Sequence, residues 1–487
     1  MAKRKRSGRP PQAQHSRKST PSQHDKRRRL AKANPNRRRT KTASVPLTGT
    51  VATLVASMSE ALDKRIGFRL PIVIAGAMLA GGRRTAAGWF RCGGVKDDWD
   101  RFYEMLPSIG RNTVSLMLPL LMFIFKRFDP GASGHWTFAI DESPTKRFGR
   151  CVEAANIHHN PTPGPGDGDW LYGHNWVCLA MVLRHPLFGV MALPLLSRLY
   201  VRQIDISKLK LRHPWEFRTK HQIALELLRQ VFAILRALGS KAGFVVVFDG
   251  AYAAGELVRP LIAEGATVVT RLRRDAKLFD VPVNKSGQRG RPRKYDKNKI
   301  SLAKRAGRRD GWQSITYCCR GLKTEGRYKT FVATNKVVGG QGRVVLVEHA
   351  SGNWAAYIST DTTMSVEAIL QIVSDRWSIE EHFHDVKEIW GAGEQQVRNV
   401  WSNIACWNLC GWMYSLVELE CWDLTAEQLV DRSNRPWDNP SRRPSHADRR
   451  RRIAREMLRS ELLSDLHVAP DEAKIRDRFE RLLALAA

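Results

Sequence analysis

Residues 243–250 of the 487-residue sequence read GFVVVFDG, an unbroken apolar run that ends abruptly at Asp249 and Gly250. Such runs are typical of strands that are buried on both faces of a parallel sheet. An ionised carboxylate beside five apolar residues is costly to bury unless it is paired or binds a metal ion. Asp249 is therefore a candidate site residue, although it could instead cap the helix that follows.

A second acid follows a strand-like pattern that begins near residue 135. Trp136, Phe138 and Ile140 are apolar and alternate with their neighbours, which predicts a strand with Asp141 on its less apolar face, near its end. Open α/β sheets place ligand sites at the carboxyl ends of their strands. The two acids together predict a site at one edge of the sheet, whereas Asp141 alone could simply begin a turn.

The segments between and after these strands predict an α/β domain. Paired strands are predicted at 177–183 and 189–201, helices at 215–238 and 253–264, and a further strand at 266–272.

The pattern then changes to short strand-like pieces separated by Gly and charged turns. Residues 273–356 therefore indicate an inserted β-rich subdomain. A long amphipathic helix is predicted at about 365–390 and a second at about 400–420. The stretch 432–452 is basic and rich in Pro and Ser, typical of an exposed linker, and 447–485 predicts a closing helical segment.

The helix pattern at 375–387 carries a third acid. Arg376, Glu380, Phe383 and Lys387 follow steps of four, three and four, so they share one helix face. That face suits a phosphate and a metal ion, with the acid binding the cation and the bases holding the DNA backbone. The alternative is an exposed face of salt-bridged charges.

These motifs make the sequence recognisable over roughly residues 135–415. It resembles bacterial insertion-sequence transposases of the DDE type, whose third acid lies in a Y-(2)-R-(3)-E-(6)-K signature. The residues that carry the resemblance are Arg376, Glu380 and Lys387 of the signature, AIDES at 139–143, VVFDGAY at 246–252 and GAGEQQVR at 391–398. Val373 stands at the signature's Tyr position, which in that family helps to hold the DNA end, so the resemblance leaves hairpin formation in doubt.

The resemblance implies a ribonuclease-H-like core: a mixed five-stranded sheet with helices, interrupted by the β-rich insertion. The helical spacing of apolar residues within 46–130 predicts an N-terminal helical domain before it. It implies that Asp141, Asp249 and Glu380 hold two Mg²⁺ or Mn²⁺ ions about 3.5–4 Å apart, for in-line displacement at phosphorus. Arg376 and Lys387 would contact DNA. The implied activity is cleavage and strand transfer at the ends of a mobile element, by a homodimer on double-stranded DNA.

The predicted organisation has six segments. They are a disordered basic arm (1–45), a helical DNA-binding domain (46–130), the first part of the catalytic domain (131–272), the insertion (273–356), the completion of the catalytic domain with the third acid (357–425), and a basic linker with a C-terminal helical segment (426–487).

The charge balance favours a nucleic-acid partner. The chain carries 80 Lys and Arg against 47 Asp and Glu, a net charge of +33, which indicates a polyanion as partner. The arm at 1–45 holds sixteen of the basic residues and one acid, suited to phosphate contact without sequence reading, although it could be only a solvated tail. Arg291 and Arg293 lie in an AT-hook-like Arg-Gly-Arg-Pro context; generic phosphate contact is the alternative to minor-groove binding.

Several further expectations concern context. The turn and basic helix at 81–90 would suit a helix-turn-helix, but a plain helical bundle fits equally well.

No secretory signal or membrane-length apolar run is visible, and no CxxC pair occurs, which favours a cytoplasmic, nucleoid-associated protein without membrane contact. The rival functions are an inactivated transposase that only binds DNA, and a ribonuclease-H-like nuclease that cuts without joining.

Overall fold

A mixed β-sheet of twelve strands runs through the described part of the chain. The computed structural model describes residues 46–160, 163–164, 168–283, 291–319, 322–349, 352–430, 432, 437–463, 474–475 and 478. The strands in chain order are β1 (His135–Lys146), β2 (Asn156–His159), β3 (Trp170–His185), β4 (Gly189–Tyr200), β5 (Gly243–Phe248), β6 (Ala266–Leu272), β7 (Leu278–Phe279), β8 (Lys299–Ile300), β9 (Gln313–Cys319), β10 (Leu322–Asn335), β11 (Gly340–Glu348) and β12 (Trp354–Ser359). The predicted arm at 1–45 and nearly all of the C-terminal segment after residue 463 lie outside the described residues.

The helices account for most of the remainder of the described chain. They are α1 (Gly49–Glu60), α2 (Lys64–Gly67), α3 (Arg69–Leu79), α4 (Ala86–Cys92), α5 (Trp99–Arg111), α6 (Thr113–Phe128), α7 (Ile206–Lys210), α8 (Lys220–Ala237), α9 (Gly255–Ala263), α10 (Leu302–Gly307), α11 (Val366–Asp375), α12 (Ser378–Glu388), α13 (Val400–Glu420), α14 (Ala426–Leu429) and α15 (His446–Leu463). The protein therefore has a mixed α/β fold.

The apolar run at residues 243–248 forms strand β5. It pairs in parallel with β1 on one side and with β6 on the other. Strand β3 pairs antiparallel with β1, and β4 pairs antiparallel with β3 around the turn at His185. Because β5 is flanked on both edges and covered on both faces, every residue after Gly243 is buried, as the apolar run predicted.

The strands predicted within 273–356 extend this same sheet. β12 pairs antiparallel with β6, β11 pairs with β12, and β10 pairs with β11. β7 and β9 both pair with β10, and β8 closes the order beside β7. The β-rich stretch is thus continuous with the sheet that carries β1 and β5.

The helices α1–α6 precede the sheet, as the helical periodicity of residues 46–130 predicted. α3 and α4 meet closely at Gly76. A Cβ atom built on Gly76 would lie 1.9 Å from the carbonyl oxygen of Trp89 and 2.6 Å from the backbone nitrogen of Gly93. Because backbone atoms cannot yield as a flexible side chain would, only glycine allows this approach. Helices α3 and α4 therefore contact each other at Gly76, where no larger residue would fit.

The long helix predicted at 365–390 is instead two helices, α11 and α12, that meet at Arg376 and Trp377. At the junction the backbone hydrogen bonds change to a three-residue step: Trp377 donates to Ser374, and Glu380 donates to Trp377. The Ser378 hydroxyl donates to the carbonyl of Asp375 at 2.7 Å, occupying an acceptor that a continuous helix would use. Such a tightened turn shifts the direction of the chain without losing the shared face.

Helix α13 is almost wholly buried and packs against β4 and α5. The Asn408 side chain accepts from Ser197 N–H at 2.9 Å and donates to Ser197 carbonyl at 3.2 Å. This amide satisfies backbone groups of β4 much as a neighbouring strand would. The helix is thereby held in register with the sheet.

A buried polar cluster fastens α15 to α13. Glu418, whose side chain is 2% exposed, lies 2.6 Å from His446 Nδ1 and 3.4 Å from Arg449 Nε. Trp390 Nε1 donates to His446 Nε2 at 2.9 Å, so His446 carries its proton on Nδ1 and donates it to Glu418. Burial alone raises the pKa of Glu418, but the bond from His446 and the charge of Arg449 bring the pKa below its ordinary value.

Arg450 joins three parts of the chain. Its guanidinium, on α15, donates to the carbonyls of Ala77 and Ala80 at the end of α3, and to the carbonyl of Ile389 at the end of α12. Helix ends carry unpaired carbonyls and partial negative charge, which a cation satisfies. One half-buried side chain therefore ties the N-terminal helices and the helix of Glu380 to α15.

No single helix in the described ranges is both long and apolar enough to cross a membrane; only the pair α5 and α6, bent by 71°, passes on length and composition together.

Candidate active site

Asp141 and Asp249 lie side by side at the point where β5 ends. The parallel pairing of β1 and β5 runs from His135 opposite Gly243 to Ile140 opposite Phe248, and Asp141 and Asp249 are the next residues along the two segments. β1 itself continues to Lys146, because β3 still pairs with it there. Asp141 therefore lies within β1, at the point where the pairing of β1 with β5 has ended. Asp141 is neither in a turn nor at the end of its strand.

Short contacts fix the backbone around Asp249. Its Oδ1 accepts a hydrogen bond from the N–H of Ala251 at 2.9 Å. The Thr270 hydroxyl, on β6, donates to the carbonyls of Phe248 and Asp249 at 3.1 and 3.2 Å. The next helix, α9, begins only at Gly255 and has no side-chain cap. The alternative role of Asp249 as a helix cap is therefore not what the structure shows.

Arg376 joins the first and third acids. Its Nη1 donates to Asp141 Oδ2 at 2.8 Å and its Nη2 donates to Glu380 Oε1 at 2.9 Å. The side chain is 13% exposed, and the second oxygen of Asp141 accepts from the N–H of Glu142. Glu380 lies in the first turn of α12. One guanidinium thus holds two carboxylates that are 239 residues apart in sequence.

A cavity of about 1330 Å³ brings the predicted residues together. It is lined by Asp141, Asp249, Glu380, Arg376 and Lys387, among others. The three acids and two of the four predicted DNA-contacting residues therefore face one space.

The other two predicted DNA-contacting residues are elsewhere. Arg291 and Arg293 are exposed between β7 and β8 and do not line this cavity. In this position the two side chains could contact DNA phosphates away from the acids, but they could not take part in chemistry at the acids.

The acids of the cavity lie in a poorly solvated space. Burial raises the pKa of Asp141 to about 7; Arg376 opposes the rise, while Asp249 and Glu380 add to it. The Tyr252 hydroxyl is buried without a hydrogen-bond partner among the described residues, and burial and the nearby acids raise its pKa well above the ordinary value. Crowded carboxylates in a poorly solvated space are stabilised by a cation.

Several residues at the site were not singled out from the sequence. Glu142 forms an ion pair with Lys220 and accepts from Asn175 at 3.4 Å. Glu142 and Tyr252 were visible inside the AIDES and VVFDGAY motifs, directly beside the two acids. Nothing in the local pattern of Lys220 pointed to the site, because it lies on α8, far from Glu142 in sequence.

The tract GAGEQQVR at 391–398 forms a wall of the cavity. The buried Arg147 guanidinium donates to the carbonyls of Gly393 at 2.6 Å and Gln395 at 2.9 Å. Glu394 accepts from the N–H of Arg84 at 2.7 Å, and the Gln395 amide donates to the carbonyl of Arg84 at 3.1 Å. The turn at 81–84 is thus fastened to this wall.

A second, smaller cavity of about 480 Å³ also has Asp249 and Arg376 in its lining. Val373, at the signature's Tyr position, lines it together with Tyr357 and Trp377. Arg376 therefore separates two spaces, of which only the larger one includes Asp141 and Glu380.

The donor set fits divalent cations. Carboxylate oxygens are the hard ligands that Mg²⁺ and Mn²⁺ prefer, and three of them line one cavity with a guanidinium standing between two of them. In the described ranges no three His, Cys, Asp or Glu side chains are already gathered closely enough to hold a metal ion. Arg376 occupies one oxygen of Asp141 and one of Glu380.

Residues 57–317, more than half of the chain, match the model of a family described as "DDE superfamily endonuclease"; the matched range includes Asp141 and Asp249 and ends before Glu380. No curated protein matches. A cryo-EM structure of a piggyBac transposase synaptic complex with hairpin DNA aligns with a TM-score of 0.37 and 11% identity, over 91% of this chain and 79% of that chain.

Proposed function

Because the chain belongs to the DDE superfamily endonucleases, we propose that it is a transposase that cuts DNA at the ends of a mobile element and joins them to target DNA. The observation that carries this proposal is the convergence of Asp141, Asp249 and Glu380 on one cavity. DDE endonucleases generally use divalent metal ions. The proposed cofactors are two Mg²⁺ or Mn²⁺ ions held by these three acids.

The proposed core is ribonuclease-H-like. In the strand order β4-β3-β1-β5-β6, β4, β1, β5 and β6 run in one direction and β3 runs in the opposite one, which supports a five-stranded mixed sheet of that kind. The strands from β7 to β12 would then be the insertion, since they lie in sequence between β6 and the helix of the third acid.

The side chains around the acids have distinct proposed roles. When bound, the two ions would stabilise both the attacking and the leaving oxygen of an in-line displacement. Lys387, whose pKa burial lowers, lies two turns along α12 from Glu380 and would hold a DNA phosphate in the cavity. Thr270 keeps the end of β5 in place, so that Asp249 meets the substrate in a fixed position.

The proposed partner is double-stranded DNA, bound by a homodimer in the bacterial cytoplasm. A net charge of +33 supports a polyanionic partner. The arm at 1–45, the helices of 46–130, and the exposed Arg291 and Arg293 would contact the duplex outside the cavity. The competing proposal is an inactivated transposase that binds DNA without cutting it; the presence of all three acids favours the catalytic form.

An activity assay tests the proposal directly. Duplexes from the DNA flanking the gene, chosen for inverted repeats, are incubated with protein and Mg²⁺ or Mn²⁺, together with a supercoiled target plasmid. The expected result is metal-dependent cleavage with a free 3′-OH, followed by joining to the plasmid. Cleavage without joined products would identify a simple nuclease. Duplex binding with neither product would favour the non-catalytic DNA-binding protein.

Arg376 is expected to compete with the metal ions for the acids. In the absence of DNA, Arg376→Ala should bind Mn²⁺ about tenfold more tightly than wild type, a gain of ~1.4 kcal/mol, because Asp141 and Glu380 lose the guanidinium that occupies their oxygens. Mn²⁺ affinity is measured by calorimetry or by electron paramagnetic resonance of the free ion.

Arg271→Ala is the matched control for that measurement. Arg271 lines the smaller cavity and not the large one, and it is exposed, so its removal takes away one nearby positive charge without releasing an acid. Its effect on Mn²⁺ affinity should be under threefold, since exposed charges are screened by solvent. Weaker Mn²⁺ binding by Arg376→Ala than by wild type would show that Arg376 assembles the metal site instead.

A further inference from the structure

An exposed, largely aromatic surface lies beside the large cavity. We call it the hairpin face, and it consists of Phe148, Ile157, His159, Trp170 and Tyr172. β2 pairs with the start of β3 so that His159 lies opposite Trp170 and Ile157 lies opposite Tyr172. Both cross-strand pairs therefore point to the same side of this two-stranded ribbon.

The two sides of the ribbon differ sharply in burial. His158 and Leu171, which alternate with the hairpin face, are buried. On the hairpin face, Trp170 is 65% exposed and Ile157 is 56% exposed. The His159 and Trp170 rings pack edge to face at 5.5 Å between centroids, and most of the tryptophan surface stays open to solvent beside this contact. The exposure is therefore a property of one face, and not of scattered single residues.

Phe148 connects the hairpin face to the acids. It is 91% exposed and lines the large cavity. The Arg147 guanidinium before it is buried in contacts with the 391–398 wall and with His174, so the next side chain is turned outward. The Tyr172 hydroxyl donates to the carbonyl of Gly149 at 3.3 Å, which holds this loop against the ribbon. The face and the cavity are thus continuous.

The edge of the hairpin face is basic. Arg150 is exposed in the same loop as Phe148, and Lys146 is exposed at the end of β1. Arg398 is exposed, lines the cavity, and its carbonyl accepts from the N–H of Glu153 at 2.9 Å. Aromatic rings beside cationic side chains are the combination that binds single-stranded nucleic acid, with the bases stacked on the rings.

We propose that the hairpin face binds unpaired bases of the DNA strand that leaves the cavity. The proposal rests on the proposed function only in that DNA occupies the cavity. Bases within a duplex are stacked on each other, so only unpaired or displaced bases offer a free ring to Phe148 and Trp170. The class of ligand is therefore single-stranded DNA next to a duplex.

A second copy of the chain is the less favourable occupant. A two-fold interface places the same patch of both copies face to face, which here would bring the Lys146, Arg150 and Arg398 groups of two molecules together. Like charges at close range oppose such contact. The basic edge that disfavours self-association is the feature that suits a DNA strand.

The test compares two labelled DNA probes by fluorescence anisotropy, on the full chain. One probe is a fully paired duplex, and the other is the same duplex with a short single-stranded extension. Phe148→Ala and Trp170→Ala should each weaken binding of the extended probe about tenfold, in the range seen for a stacking aromatic. Their binding of the paired duplex should match that of wild type.

Three further variants separate stacking from other effects. Trp437→Ala removes a tryptophan that is 80% exposed and outside the cavity lining, and it should bind both probes like wild type. Trp170→Phe keeps a ring and should retain most of the affinity for the extension, whereas Trp170→Leu keeps only apolar volume and should not.

The outcomes distinguish this proposal from the proposed function. Wild-type affinity of Trp170→Leu for the extension, equal loss on both probes, or a change of oligomeric state in sedimentation would each overturn the hairpin-face proposal. If the variants bind the extension normally while wild type cuts and joins DNA, only this proposal fails. If wild type binds neither probe, the proposed function fails as well.

Discussion

Asp249→Asn is expected to abolish DNA cleavage while leaving duplex binding within about twofold of wild type. Loss of a charged metal ligand removes several kcal/mol of transition-state stabilisation, which corresponds to a rate reduction on the order of 10³-fold or more. Asparagine keeps the size of the side chain and an oxygen that can accept from the N–H of Ala251. Glu380→Gln should behave alike, since the amide oxygen can still accept from Arg376.

The measurement pairs single-turnover cleavage with anisotropy of a non-cleaved duplex. Glu388→Gln is the matched control, because Glu388 lines the same cavity two turns along α12 from Glu380 and is not one of the three proposed ligands. It should cut at a rate within a few-fold of wild type. Wild-type rates for Asp249→Asn or Glu380→Gln would remove these acids from the active site.

The structure limits which other acid could be the third metal ligand in place of Glu380. Glu381 and Asp385 are the nearest acids on the same helix, and both line a separate cavity beside Tyr414 and His446. They point away from Asp141 and Asp249. Failure of the Glu380 variant would therefore direct attention to Glu142, which does line the large cavity.

Glu418→Ala is expected to destabilise the protein by about 3–5 kcal/mol, the cost of removing one partner from a buried ion pair. The substitution would leave the buried Arg449 guanidinium without its ion-pair partner and the buried His446 N–H without its acceptor. Because the pKa of Glu418 is lowered in the folded protein, its stabilisation is present at neutral pH and is lost as the pH falls through that lowered pKa. The difference from wild type should accordingly shrink in acid.

Chemical denaturation followed by tryptophan fluorescence measures this effect. Asp423→Ala serves as control, since Asp423 is largely exposed and pairs with Arg127 at the surface, where such pairs contribute about 0–1 kcal/mol. Glu418→Gln keeps an oxygen for His446 and should lie between wild type and Glu418→Ala. Equal midpoints for Glu418→Ala and Asp423→Ala would show that the buried cluster does not hold α15 in place.

The elements that the sequence predicted well are those whose pattern is set by burial. The run at 243–248, the paired strands β3 and β4, and the helix at 400–420 all have apolar residues spaced for the surface that they bury. The neighbouring positions of Asp141 and Asp249 followed from the same reasoning, although Asp141 lies inside β1 and not near its end as predicted.

The features that the sequence did not predict depend on contacts between distant segments. The junction of α11 and α12 keeps the same apolar face across a tightened turn, so the periodicity shows no interruption. The two bonds of Arg376 and the pairing of Glu142 with Lys220 join residues whose local patterns are independent. Likewise, the strands of 273–356 read as short separate pieces, because their order in the sheet is decided by the pairing of β12 with β6.

The contacts of Arg450 have a consequence for where DNA would be cut. Since one guanidinium joins the ends of α3 and α12 to α15, the N-terminal helices and the helix of Glu380 keep a constant separation. DNA bound by those N-terminal helices would reach the acids only at a set number of base pairs from the bound sequence. The protein would then work as a ruler, choosing the scissile phosphate by distance along the duplex rather than by the identity of the bases around it.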